Sequence, residues 1–159
     1  MPTAHRDTRL TYEDFVRFPD DGMRHELIDG VHYVTPCPVT RHQQLVGRLH
    51  LAIGTYLEIL TDVNIQGAPA LVIEILSPGT RTRELGIKRQ LFDRGGVREY
   101  WAVDPKAEDL TVYRRLPDGG LARVSQLRAS ETATLSTPLL PGFSLSLAKL
   151  FAQLLPNRS

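Results

Sequence analysis

The stretch Ala70-Leu-Val-Ile-Glu-Ile-Leu-Ser77 is apolar on both faces of an extended chain, the pattern of a central strand covered on both sides. Such a strand needs packing layers above and below it, and Pro78-Gly79 ends it. At its centre stands Glu74. Burying a lone carboxylate costs several kcal/mol, on the order of the effective penalty per ion in real proteins. Glu74 therefore needs a metal, a cationic partner or a raised pKa; the plainer alternatives are a nearby Arg or a wet sheet edge.

The rest of the chain supplies the covering elements. Thr11 opens a short helix with Asp14 as a capping-box partner and Phe15 and Phe18 on one face, broken by Pro19 to Gly22. Met23 to Ile28 and Val31 to Thr35 read as strands joined by Asp29-Gly30, a strong hairpin signal, and Pro36-Cys37-Pro38 is a connector. From Thr40, Leu45, Leu49, Ile53, Tyr56, Leu57 and Leu60 recur at helical spacing. Residues 61–69 read as a loop. Thr82 to Arg94 reads as one helix closed by Gly95-Gly96, and Val97 to Val103 as a second core strand. Leu110 to Arg115 and Leu121 to Gln126 form a hairpin through Pro117-Asp118-Gly119-Gly120, and the tail carries a strand fragment and a last helix. Alternating strands and helices predict a single α/β or α+β domain with a mixed sheet.

Composition narrows the function. The 159 residues suit one domain. No stretch approaches the ~20 apolar residues of a membrane span, and Met1 to Arg6 has no apolar signal core, which predicts a cytoplasmic protein. The lone Cys37 excludes an internal disulfide and a multi-cysteine zinc site. A net charge of +1 argues against binding by bulk charge. Of the 19 basic residues only Lys88, Lys106 and Lys149 are lysine, so a lysine here points to a need for a compact ammonium.

Lys88 shares its helical stripe with Leu85 and Phe92 and so should face the sheet; the alternative is a snorkelling side chain paired with Glu84. Glu26, just before the hairpin turn, is a third candidate, and a solvated strand glutamate is its plainer reading. The histidines form no i,i+4 pair and sit beside no cysteine at zinc spacing. There is no Gly-x-Ser-x-Gly, phosphate loop or Gly-x-Gly-x-x-Gly. Arg81, Arg83, Arg89, Arg94 and Arg98 crowd one helix and its ends, against Glu84, Asp93 and Glu99; the cluster suits phosphate contacts or is a solvated face.

Four runs, Glu26-Leu-Ile-Asp-Gly30, Leu71-Val-Ile-Glu-Ile-Leu-Ser-Pro78, Glu84-Leu-Gly-Ile-Lys88 and Gly96-Val-Arg-Glu-Tyr-Trp-Ala-Val-Asp-Pro105, stand in the order of the motifs of the Uma-two family. The chain resembles that family of bacterial restriction-endonuclease-like proteins, within the PD-(D/E)XK nuclease superfamily. The resemblance implies a central mixed sheet flanked by helices and Mg²⁺- or Mn²⁺-dependent hydrolysis of DNA phosphodiesters. It implies that Glu26 is the N-terminal acidic residue, Glu74 a metal-binding carboxylate, the Ile75 carbonyl a further ligand and Lys88 the active-site lysine. Contacts to DNA would fall to Arg81, Arg83 and Arg89.

The chain departs from the family pattern twice. The Pro-Asp strand that precedes the glutamate strand in the family, with its metal-binding aspartate, has no counterpart between 60 and 69, and the aspartate after Pro69 is Ala70. These departures predict either an inactive relative, serving as a nucleic-acid-binding or homodimerising module, or a segment absent from the chain.

Overall fold

β3 (Leu71–Ile75) is extended because its branched and long apolar side chains, interrupted only by Glu74, suit a pleated strand, and its pairing organises the larger part of the molecule. A computed structural model describes residues 9–35, 40–57, 69–77, 79 and 81–154. They fall into two compact units, Met1–Cys37 and Pro38–Ser159. The connector Pro36-Cys37-Pro38, the helix end near Leu60 and the expected absence of a strand between 60 and 69 lie outside the described residues.

In the second unit β3 runs parallel to β4 (Glu99–Asp104), and β5 (Asp109–Arg115) and β6 (Leu121–Arg128) add antiparallel strands in the order β3-β4-β5-β6. This is the expected mixed sheet flanked by helices. All six residues of β4 are buried, as befits a strand with neighbours on both sides. A parallel pair needs a crossover, here α3 (Arg81–Arg83), a π-turn (Glu84–Lys88) and α4 (Arg89–Arg94).

Strand alternation divides the core into two layers. Trp101, Val103, Leu110 and Val112 pack with Ile75 against Leu45 and Leu49 of α2 (Thr40–Leu57) and against Leu147, Leu150 and Phe151 of α5 (Leu147–Phe151). On the other face Leu76, Tyr100, Ala102 and Leu121 meet Val72, Leu85, Phe92 and Tyr113. Glu74 shares this second face with Val72 and Leu76.

Two elements differ from the sequence reading. The helix expected over Thr82 to Arg94 is interrupted by the π-turn, which hydrophobic spacing alone does not reveal. The tail fragment is a complete hairpin, β7 (Thr134–Thr137) with β8 (Leu140–Ser146), preceded by a short 3₁₀ turn, Ala129–Glu131. Its first strand buries only Leu135 and Thr137, too short an alternation to register as a strand. Among the described residues no helix is long and apolar enough to cross a membrane.

In the first unit the capping box of α1 (Tyr12–Phe15) forms as expected: the Asp14 amide donates to Thr11 Oγ1 at 3.3 Å and the Thr11 amide to Asp14 Oδ2 at 2.8 Å. β1 (Arg24–Ile28) and β2 (Val31–Thr35) make the expected antiparallel hairpin. Its turn places Asp29 at φ 51° and Gly30 at φ 78°, both left-handed as a two-residue turn of this twist requires. A Cβ on Gly30 would also lie 2.5 Å from the Arg9 Cβ. Diagonal pairing across this hairpin produces a contact that linear spacing hides: His25 Nδ1 lies 2.8 Å from His32 Nε2, and His25 Nε2 lies 2.9 Å from Asp21 Oδ1.

Candidate active site

Glu74 projects from β3 onto the face covered by the crossover, and the crossover returns a cation to it. Lys88, the last residue of the π-turn, places Nζ 3.0 Å from Glu74 Oε1, with side chains 6% and 15% exposed respectively. The snorkelling alternative for Lys88 is therefore excluded, since its ammonium is buried against a carboxylate rather than held in water. Glu84, which the helical reading made the surface partner of Lys88, is itself buried at 2% exposure.

Tyr100 closes the floor. On β4 it is the register partner of Val72, two residues before Glu74 and on the same face, and its hydroxyl donates to the Glu84 carbonyl at 3.2 Å. Burial, reinforced by the charges of Glu74 and Glu84, pushes its phenol well above the ordinary value, so it stays a donor. Its ring stacks on Tyr113, 5.5 Å away, and meets Phe92 in a tilted contact at 5.2 Å. Sequence reasoning missed Glu84 and Tyr100 as members of this cluster. The available signal was the spacing of Glu84 to Lys88, which was readable as a pair but not as a buried one.

The direction of the Ile75 carbonyl follows from the hydrogen bond of the next residue. The Leu76 amide donates to the Val103 carbonyl on β4 at 2.8 Å. In a trans peptide the C=O points opposite to the N–H. The Ile75 carbonyl is thus directed away from β4, along the side of β3 that has no strand neighbour among the described residues.

The arginines are engaged to different degrees. Arg81 is half-exposed and ion-paired with the buried Asp104, whose Oδ1 also accepts the Lys106 and Ala107 amides. Arg83 is half-buried. Arg89 lies over the Tyr113 ring at 5.6 Å and donates to the Leu121 carbonyl at 3.2 Å, so its guanidinium is turned inward. Glu26 belongs to the first unit, where it accepts Arg24 Nη2 at 2.8 Å with its side chain 13% exposed. The structure thus brings Glu74 and Lys88 together and describes Glu26 by contacts within its own hairpin.

Among the described residues no group of three or more His, Cys, Asp or Glu is arranged to hold a metal ion.

Comparison with known proteins bears on the fold and the family. The family model Uma2, described as "Putative restriction endonuclease", matches residues 59–148. The chain is also similar to a crystal structure from Anabaena variabilis ATCC 29413, described as a "putative nuclease belonging to DUF820". That likeness has a TM-score of 0.70 at 19% identity and covers 92% of this chain and 99% of the other, which shows a common fold. No curated protein matches the chain.

Proposed function

We propose, because this chain belongs to the Uma2 family of restriction-endonuclease-like proteins, that it is a metal-dependent endonuclease acting on DNA, with Glu74 and Lys88 as its working pair. The observation that carries the reading is the 3.0 Å approach of a buried lysine to the one carboxylate of an otherwise apolar strand, within the matched residues. An apolar pair would fill this space at less electrostatic cost, so charge here asks for a chemical use.

The donor set suits a hard cation. A carboxylate and a backbone carbonyl are oxygen ligands of the kind Mg²⁺ or Mn²⁺ takes, and Mg²⁺ characteristically completes its shell with water and substrate phosphate. Glu74 and the Ile75 carbonyl would hold it, and with only these two protein donors the affinity would be low. When bound, such an ion polarises a phosphate oxygen and lowers the pKa of its water. Lys88 donates from its ammonium to the attacking water or to charge developing on the phosphate, and the apolar floor of Val72, Leu76 and Ala102 keeps the local dielectric low. Arg81 and Arg83 contact the DNA backbone, while Arg89 supports the crossover. The setting we infer is the bacterial cytoplasm.

Plasmid nicking tests this. Supercoiled DNA with Mg²⁺ or Mn²⁺ is expected to be nicked by the native chain, and by Glu74→Ala and Lys88→Ala about a hundredfold more slowly or not at all. Equal nicking by all three sinks the assignment.

A second reading has its own support. Glu74 Oε1 is already neutralised by Lys88, as in a self-sufficient structural pair, so the chain would serve as a DNA-binding or homodimeric module without turnover. That reading predicts salt-dependent DNA binding that survives Glu74→Gln, and no heat on Mg²⁺ or Mn²⁺ titration.

A further inference from the structure

The crossover that carries Lys88 is α-helical at Arg81–Arg83 and Arg89–Arg94, with the π-turn Glu84–Lys88 between. A π-turn takes up about one residue more than an α-turn, so the helix beyond it is rotated by roughly 100° from where an uninterrupted α-helix would leave it. Each flank is fastened to the sheet separately: Arg81 pairs with Asp104, and Phe92 and Arg89 lie against Tyr100 and Tyr113. The extra residue lets both fastenings hold while Lys88, at the junction, is buried at 5% exposure and meets Glu74. Single π-turns inside α-helices are frequent at functional sites.

Something must hold the widened turn in place, and the sheet supplies it. The carbonyl of Glu84, the first residue of the π-turn, accepts the buried Tyr100 hydroxyl at 3.2 Å. That hydroxyl is all a tyrosine adds to a phenylalanine here, since the ring contacts to Phe92 and Tyr113 would be kept by either. Tyr100 also stands on the same sheet face as Glu74, so one strand pair fixes the carboxylate and the anchor of the turn that delivers its partner.

We propose that Tyr100 is a positioning residue for Lys88: by holding the Glu84 carbonyl it pins the π-turn and aims the Lys88 ammonium at Glu74. This rests on the reading of Glu74 and Lys88 as the working pair and adds the device that aligns them.

The test exploits the scarcity of lysine. With three lysines in the chain, ¹⁵N-lysine labelling yields few side-chain ammonium signals, and the one lost in Lys88→Met is that of Lys88. In the native protein this signal is expected to exchange slowly with water. In Tyr100→Phe its exchange should quicken about tenfold, the free-energy equivalent of one lost hydrogen bond, with Lys106 and Lys149 unchanged and the melting temperature lower by only a few degrees. Plasmid nicking should fall in kcat by a similar factor while KM for DNA holds. Unaltered Lys88 exchange in folded Tyr100→Phe overturns the proposal. If that variant does not fold, the native protein decides: a protected Tyr100 hydroxyl proton with a cross-peak to the π-turn supports it, and a freely exchanging hydroxyl overturns it. The ammonium measurement needs no cleavage, so a native protein that shows the Tyr100 effect yet never nicks DNA removes the nuclease reading and leaves the alignment standing.

Discussion

Glu74 and Glu99 stand on neighbouring strands, both withdrawn from water, and are held in contrasting ways. Glu99 is fully buried, with Oε1 accepting Trp101 Nε1 at 2.6 Å and Oε2 accepting Arg114 Nε at 2.7 Å. Both donors belong to the sheet: Trp101 lies two residues along β4, and Arg114 is the register partner of Glu99 on β5. Glu74, on the opposite face, receives its cation from outside the sheet, on a π-turn, and keeps 15% of its side chain exposed. An arginine and an indole saturate a carboxylate from fixed directions, whereas a lysine brings a compact charge on a flexible stem. The first carboxylate is closed, both of its oxygens bound, and the second keeps part of its side chain open to solvent. A buried carboxylate in a sequence is thus ambiguous until the element supplying its partner is known.

The largest effect should come from the closed pair. Glu99→Gln leaves the Arg114 cation and the Trp101 N–H poorly matched, and is expected to cost about 3 kcal/mol in urea denaturation without altering metal-binding heat. Glu74→Gln, at the more open pair, should cost about 1 kcal/mol while abolishing Mg²⁺ or Mn²⁺ heat in calorimetry. Equal stability losses from the two would break the contrast. Lys88→Arg sharpens it from the cation side: charge is kept but the fork does not fit the point-charge position, so stability should change by less than about 1 kcal/mol while nicking falls roughly tenfold.

The smallest effect belongs to an exposed carboxylate that serves as a control. Hydrogen bonds from the Thr11 amide and hydroxyl hold the Asp14 carboxyl below its ordinary range. A lowered folded value means that its contribution is complete above the ordinary carboxylate pKa and fades as pH falls through the lowered one. The protection of the α1 amides relative to their intrinsic exchange rates should therefore fall on acidification from roughly pH 5 to 2, and Thr11→Ala should remove that pH dependence.

Much of this was readable in one dimension. The doubly apolar strand, the Asp29-Gly30 hairpin, the capping box at Thr11 and the β5–β6 hairpin are local patterns, and each formed where the residues put it. Glu74 and Lys88 were legible because a charge inside an apolar pattern is itself a signal. The charge pattern sets Glu99 only among the acidic groups beside an arginine cluster, read as phosphate contacts or a solvated face, but the register with Arg114 buries it. Register is a property of two strands, so no single strand displays it. The His25–His32 contact was hidden for the same reason. The π-turn escaped because Glu84, Leu85, Lys88 and Phe92 satisfy ordinary helical spacing whether or not a residue is inserted between the two fastenings.

The buried indole of Trp101 has one last consequence. It is the chain's single tryptophan, and its N–H is bound to a carboxylate in a dry layer. Its fluorescence should be emitted at short wavelength in the folded state and shift to the red when water reaches β4. One optical signal thus reports the integrity of the closed side of the sheet, and loss of function at the Lys88 side can be told from global unfolding in a single cuvette.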